Sequence, residues 1–465
     1  MILKNAKIFH KAKLVKGIML IEKGIINSIR LNHSNRDYKE LLDLNEDGKV
    51  IDCKNKIILP GIIDCHTHLR DMGQKQKESF RTATKAAAFS GITTVFNMPN
   101  TIPPANNSKT VKKWINKAKE NIFIDVGFIS GVPEQINQDE IKNILDLGVM
   151  GFKIYPHDPI PNLDWTQKVN FQILLNISSI YQTRIFIHPQ WPTPEQKNKE
   201  LFEEYMFRHS SLLKLHNKLY PCESEVRFVG YALKNYKEFI SSSKLPPKDY
   251  PLIHFCHISC KKSYSLIKNI LDANSNYKIS YEVTPHHVLL SNELELSKPS
   301  IGKVMPPLRD KKHSEFLFKE LCNGNLLLIG TDHAPHTVQE KSQNFFDAPS
   351  GFPGLETYPL LLLNEITKYK LSLANFVKIA SENPARIFNL KKKGFIKEGY
   401  YADILIVDKS SEYKINPKTF HTKSKISPYE GFKTNIQIWK VLLRGNEINL
   451  ENTNPSGRIL TQHLK

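Results

Sequence analysis

Long apolar runs are missing from this sequence: no stretch approaches the roughly 20 unbroken apolar residues of a membrane-spanning helix. The opening Met1-Ile2-Leu3-Lys4-Asn5-Ala6-Lys7-Ile8 has neither an extended apolar segment after its first charge nor a small-residue cleavage pattern. No secretory leader is therefore expected, and the cytoplasm is the expected location. Cysteine is scarce, with six in 465 residues (53, 65, 222, 256, 260 and 322) and no compact spacing, which excludes a disulfide framework and reads as reduced thiols. Glycine and proline, at 21 and 27 residues, stay near ordinary usage and exclude a collagen-like or low-complexity chain. Acidic residues fall short of basic ones, 46 against 65, leaving a formal charge of +19. The excess is scattered, as in Lys112-Lys113, Lys261-Lys262 and Lys391-Lys392-Lys393, instead of gathering into a patch or arm with aromatic partners. Neither nucleic acid nor a membrane is expected as a partner, while an anionic small-molecule substrate would gain in encounter rate from the positive field.

What is present is a globular composition, 40% hydrophobic and 24% charged, with a regular alternation of patterns. The first residues read as short β segments: Ile2 to Phe9, Lys13 to Glu22, Ile25 to Leu31, Val50 to Asp52 and Lys56 to Leu59. A complementary pair stands near the far end, Ala402 to Asp408 and Ile436 to Leu443. Between them, eight strand-like runs (Gly61 to Cys65, Thr93 to Asn97, Ile122 to Phe128, Met150 to Tyr155, Ile185 to His188, Leu252 to His257, Lys278 to Val283 and Leu326 to Gly330) alternate with helical patterns such as Glu78 to Ser90 and Asp139 to Leu147. Eight βα units close most naturally into a barrel. The expected fold is an α/β chain, a (β/α)8 TIM barrel over 59–394 with a small β-sandwich satellite built from 1–58 and 395–465. Residues 190–250 exceed an ordinary βα connection and are expected to carry helices near Pro194 to Lys218 and Glu223 to Ser242, as a lid or contact surface peripheral to the chemistry.

The chemistry-bearing residues cluster at the carboxyl ends of those strands. In Asp64-Cys65-His66-Thr67-His68-Leu69-Arg70, two histidines two apart at a strand end face the same way, because strand side chains alternate with period two. Later strands add Lys153, His188, His257 and Asp332 at the same rim. A single histidine there is as well explained by a polar strand end or a satisfied core position; their joint placement favours a metal centre. Histidine and carboxylate ligands suit zinc, with a coordination position left for water.

These motifs, Pro60-Gly61-Ile62-Ile63-Asp64-Cys65-His66-Thr67-His68-Leu69-Arg70, Asn97-Met98-Pro99-Asn100-Thr101, Thr331-Asp332-His333-Ala334-Pro335-His336-Thr337 and Ser350-Gly351-Phe352-Pro353-Gly354-Leu355-Glu356-Thr357, resemble the dihydroorotase branch of the amidohydrolase superfamily, in its long type. The resemblance covers almost the whole chain apart from 190–250. It implies reversible cyclisation of N-carbamoyl-L-aspartate to L-dihydroorotate in pyrimidine synthesis. It implies one zinc on His66, His68 and Asp332, a second on His188 and His257, and a carbamylated Lys153 bridging them, since an ammonium cannot ligate a cation and a carbamate can. Asp332 would also move the proton, and Arg70, Asn100 and His336 would receive the substrate carboxylate. Cys256 and Glu282 match positions able to help hold a third zinc, or are a buried thiol and a hydrogen-bonding carboxylate. A homodimer is implied, with association with an aspartate transcarbamoylase left open. Three departures bear on substrate contacts. Pro189-Gln190 replaces an acidic residue expected soon after His188, Met305 replaces Asn or Arg, and Pro156-His157-Asp158-Pro159 lacks a threonine loop tip. Another cyclic amidohydrolase, a dihydropyrimidinase (hydantoinase) or allantoinase, is the alternative. An inactive assembly partner is a further one, which the full ligand set opposes.

Overall fold

The computed structural model describes every residue except 33, 46–47, 161–162, 194–210, 449–453 and 463–465. Near the N-terminus the first and third strands alternate buried and more exposed positions over part of their length, whereas the second is buried throughout Gly17 to Ile21. The strands there are β1 (Ile2–His10), β2 (Lys13–Glu22), β3 (Ile25–Leu31), β4 (Val50–Asp52) and β5 (Ile57–Pro60). From β6 (Ile62–Thr67) onward the strands are buried on both faces, the mark of parallel strands covered by helices.

The inner strands are β6, β7 (Ile92–Asn97), β8 (Asp125–Phe128), with its short continuation β9 (Ser130–Gly131), then β10 (Gly151–Ile154), β11 (Arg184–Ile187), β12 (Leu252–Phe255), β13 (Ile279–Val283) and β14 (Leu328–Ile329). Sequence neighbours pair in parallel from β6 to β8 and from β9 to β14. The Met150 N–H donates to Phe128 O at 2.7 Å across the β8–β10 step, and a parallel bridge between Thr67 and His333 joins the first strand to the chain after the last. The eight expected runs thus all become strands; β10, β11, β12 and β14 stop one or two residues short of the expected end, where the chain turns into the loops that carry the site, whereas β6 runs on to Thr67. The intervening helices include Phe80–Phe89 and Gln138–Asp146, close to the expected spans.

The two ends of the chain meet in one sheet of order β17-β16-β15-β5-β1-β2-β3, with β4 beside β1; here β15 is Ile404–Lys414, β16 Lys433–Leu443 and β17 Asn446–Glu447. A sandwich of two sheets was the expectation. A single hydrogen-bonded sheet forms instead, because β5 pairs in parallel with β1 through Ile57 and Ile58 and antiparallel with β15 through Ile57 to Pro60. The last strand, β18 (Ile459–Leu460), leaves that sheet and pairs with β8. Of the long connection, 194–210 lies outside the described residues; the rest forms helices Leu212–Leu219 and Cys222–Ser243, the second within one residue of its expected bounds. Among the described residues no helix is long and apolar enough to cross a membrane.

Candidate metal centre

His66 lies on β6 and His68 just beyond it, and their Nε2 atoms approach the same oxygen, Asp332 Oδ1, at 3.3 and 3.0 Å. The period-two argument for these two histidines therefore holds. The three donor atoms lie within 4.8 Å of one another. Asp64 aligns the two segments: its carboxylate accepts from His66 N at 3.1 Å, Thr331 N at 3.0 Å and Thr331 Oγ1 at 2.6 Å. Gly330 is required next to it, since a Cβ there would stand 2.8 Å from Glu282 Oε2 and 3.1 Å from His66 Cβ.

His188 follows β11 and His257 follows β12. The four imidazoles form one contiguous group, with ring centres 5.5 Å apart for His66–His68, 5.1 Å for His66–His257 and 4.4 Å for His188–His257. Three of the four rings are oriented by a neighbour, as in metal sites whose histidines are held by a supporting hydrogen bond. His66 Nδ1 meets Glu282 Oε1, His68 Nδ1 meets Asn100 Oδ1 at 2.6 Å, and His188 Nε2 meets Gln190 Oε1 at 3.1 Å. Gln190, which stands where an acidic residue was expected near His188, thus supplies the accepting oxygen itself. His257 Nδ1 is buried without a partner.

Electrostatics separates these rings. Burial pushes His68 down to about 4 and holds His188 and His257 well below the ordinary histidine range, the latter two also through neighbouring histidines and Lys153, so all three are neutral and able to ligate at pH 7. Burial acts in the same sense on His66, but the adjoining Glu282 carboxylate and Asp332 outweigh it and lift that ring to about 10. Asp332 resists burial because His66 and His68 hold it down to about 2, hence ionised.

Lys153, on β10, is fully buried, and its Nζ donates to Cys256 Sγ at 2.8 Å. Among the described residues no carboxylate pairs with it. An unpaired buried ammonium costs on the order of several kcal/mol, so the surroundings suit a modified, anionic form better than a bare cation. Cys256 and Glu282 come together with His66, all three donors within 4.8 Å, and Glu282 also receives Cys65 Sγ and His254 Nε2, at 2.9 and 3.2 Å.

A cleft of about 240 Å³ opens over this group, lined among others by Arg70, Asn100, Tyr155, His157, Met305 and Asp332. Arg70 is 8% exposed; its Nε has no partner, its Nη1 reaches only Gln74 Oε1 at 3.4 Å, and among the described residues no carboxylate pairs with it. Strand periodicity does not explain its aim, because β6 ends at Thr67 and Arg70 adopts a left-handed backbone (φ 59°). Asp332 and His257 share that strained region at φ 50° and 35°, a clustering typical of functional positions. His336, expected to complete the carboxylate pocket with Arg70 and Asn100, is held on both ring nitrogens: Lys77 Nζ donates to its Nδ1 at 3.2 Å and its Nε2 donates to Ser350 O at 2.9 Å. Tyr155 and His157 were absent from the expected site. His157 stacks on His188 with ring centres 4.2 Å apart, and its only sequence signal was its position just past the Lys153 strand.

The buried neutral rings set a pH dependence of stability. His68, His157 and His286 are pushed to about 4, and His216, whose Nε2 donates to Val304 O, to about 3, mainly by burial. Below an ordinary histidine value of about 6.5 the unfolded chain binds protons that these folded rings refuse, so stability is fully present above that pH and falls toward pH 4. Each ring contributes a slope of up to ~1.4 kcal/mol per pH unit. Asp64, raised by burial to about 7, offsets one of them. Urea midpoints measured from pH 7.5 to 4.5 should fall steadily below 6.5; a flat profile would contradict this burial.

The model of the amidohydrolase family matches residues 57–448. The chain is 33% identical over 460 residues to a dihydroorotase of Methanosphaera stadtmanae, covering 97% of each chain. It is 33% identical over 454 residues to a dihydroorotase of Pyrococcus abyssi, covering 97% of this chain and 95% of the other. Among solved structures it is similar to an L-hydantoinase (dihydropyrimidinase) from Arthrobacter aurescens, with TM-score 0.85, 24% identity and 99% of each chain covered. A D-hydantoinase (dihydropyrimidinase) from Thermus sp. gives TM-score 0.84 at 22% identity, covering 99% of this chain and 98% of that one. At such identities the hydantoinases speak for the fold alone, whereas the family match and the near full-length relatives speak for ancestry: the chain belongs to the amidohydrolase family, in its dihydroorotase branch.

Proposed function

We propose that this protein is a dihydroorotase, interconverting N-carbamoyl-L-aspartate and L-dihydroorotate, on a (β/α)8 barrel of residues 59–394 with a satellite formed by 1–58 and 395–465. The observation that carries the substrate assignment is Arg70, a buried guanidinium without a carboxylate partner on the wall of the cleft that holds the metal-ligating group. A guanidinium so placed is complementary to a substrate carboxylate. His66, His68 and Asp332 would hold one zinc, His188 and His257 the second, with Lys153 as its carbamate between them. Cys256 and Glu282, beside His66, would serve a third. The fit rests on the clustered donors, the orphaned His257 Nδ1 and the buried Lys153, which has a thiol and, among the described residues, no carboxylate as partner. When bound, zinc supplies Lewis acidity toward an amide oxygen and lowers the proton affinity of a water.

The chain's own residues do the rest. Asp332 takes a proton on its carboxylate and returns it to the amide nitrogen. Arg70 grips the carboxylate of the substrate. Asn100 uses Oδ1 to orient His68, which leaves its amide hydrogens for the substrate. His336 supports the rim through Ser350. Met305, apolar on the cleft wall, favours a second reading as a hydantoinase or allantoinase. An assay of the zinc-loaded protein on dihydroorotate, dihydrouracil, hydantoin and allantoin separates the two. Arg70→Met should reduce kcat/KM for dihydroorotate ~10- to 100-fold, the loss of a charge-assisted contact of about 1.5–3 kcal/mol, with zinc content unchanged. Any slow turnover of dihydrouracil, which has no carboxylate, should be spared. Equal loss on both substrates would assign Arg70 to the fold.

A further inference from the structure

Behind the metal centre, three helices begin around one pair of sulfurs. Cys222 is the first residue of helix Cys222–Ser243, Cys260 immediately precedes helix Lys261–Ala273, and His313 sits in the first turn of helix Lys311–Cys322. None of the three lines the cleft. Cys222 Sγ lies 3.6 Å from His313 Nε2 and interacts with the Cys260 thiol, whose Sγ also meets Ser263 Oγ at 3.2 Å. His313 Nδ1 accepts the backbone N–H of Lys261 at 3.2 Å. A ring nitrogen that accepts carries no hydrogen, so in the neutral ring the hydrogen sits on Nε2 and is donated to Cys222. This arrangement opposes metal ligation through Nε2 and makes Cys222 Sγ the acceptor of the His313 hydrogen.

The surrounding field acts in the same direction. The positive end of the 22-residue helix Cys222–Ser243 faces the sulfur, and Arg309 contributes its charge. The interaction with Cys260 comes first; with the hydrogen bond from His313 and the charge of Arg309 it outweighs burial and holds the Cys222 thiol well below the usual thiol range. The same interaction, together with burial and Glu225, pushes Cys260 up. Cys222 is half-buried and Cys260 fully buried. The comparably exposed Cys322 ends its helix, where the dipole opposes a thiolate, and burial with Glu365 raises it.

We propose that Cys222 and Cys260 are a reversible dithiol–disulfide couple, with Cys222 the thiolate that reacts with a hydroperoxide and Cys260 the thiol that resolves it. Cys222 sulfur attacks a peroxide oxygen, the O–O bond breaks, and the leaving oxygen takes a proton and departs as water or an alcohol. Cys260 sulfur then attacks the resulting sulfenic sulfur and expels its hydroxyl, which takes the Cys260 proton and departs as water. Two thiols are oxidised and one peroxide is reduced. The bond would join elements already tied together, since Glu225, one turn along the helix of Cys222, accepts from Ser259 N at 3.2 Å and from Cys260 N at 3.3 Å. Cys260 stands three residues after His257, so the link would fasten the helix to the loop of a metal-ligating residue without moving it far.

The test uses the full-length reduced protein with hydrogen peroxide, followed by thiol blocking, digestion and mass spectrometry. The expected product is a Cys222–Cys260 linked peptide, lost again on treatment with dithiothreitol. At pH 7, iodoacetamide should modify Cys222 at least ~10-fold faster than Cys322, and His313→Gln should narrow that difference. Cys260→Ser should halt oxidation at a sulfenic acid on Cys222 that dimedone traps. Linkage of Cys222 to any other cysteine, or alkylation of Cys222 no faster than that of Cys322 in the wild-type protein, overturns the proposal.

Discussion

Asp332→Asn should lower kcat by ~10²- to 10⁴-fold, the range for losing a positioned general acid–base group, while KM changes only a few-fold. The substitution is close to isosteric and keeps an oxygen toward His66 and His68, which Oδ1 now meets at 3.3 and 3.0 Å. What it removes is the site where a proton can rest between the attacking water and the departing nitrogen. Its left-handed backbone is a conformation asparagine tolerates well, so the fold should survive. Steady-state kinetics with metal analysis on the same preparation decides the matter. Unchanged turnover at full metal content would remove Asp332 from proton transfer, and a parallel loss of metal would make it chiefly a ligand.

Lys153→Ala should abolish activity and lower bound zinc together. The side chain is 0% exposed in the strand Gly151–Ile154 and its Nζ has a thiol, Cys256, as hydrogen-bond partner. If its working form is the carbamate, alanine deletes two anionic oxygens from the centre of the histidine group and leaves a buried void. Short carboxylic acids can enter such a void and restore part of the missing negative charge. Partial rescue by acetate or propionate, absent in wild type and absent with a neutral amide of the same size, is the expected result. An alanine variant with full zinc and near wild-type turnover would sink the bridging role.

The eight inner strands were legible because buried parallel strands write themselves as short apolar runs, and the HxH pair because period two gives both rings one direction. The single end sheet was less legible: that β5 would pair with both β1 and β15 depends on how two distant ends of the chain meet. Arg70 was found from its place in a motif, yet its aim comes from a left-handed turn, which residue type alone does not reveal. Glu282 was noted as a doubtful further ligand and proves to be a hub, receiving His66, His254 and Cys65. Tyr155 and His157 carry no spacing signal in the sequence, since they stand singly past a strand end; the fold brings both to the cleft wall, His157 stacked on His188.

By itself, then, the sequence determined the succession of strands and the chemical inventory of the site, since periodicity and side-chain type are local properties. Only the tertiary structure decided which nitrogen of each histidine is free. Asn100 settles that for His68, and Gln190 for His188. It also left Arg70 without an anion and set Cys222 against Cys260 and His313. Apart from the neighbouring His188 and Gln190, those are contacts between residues remote in the chain, and packing, which no local pattern encodes, sets them.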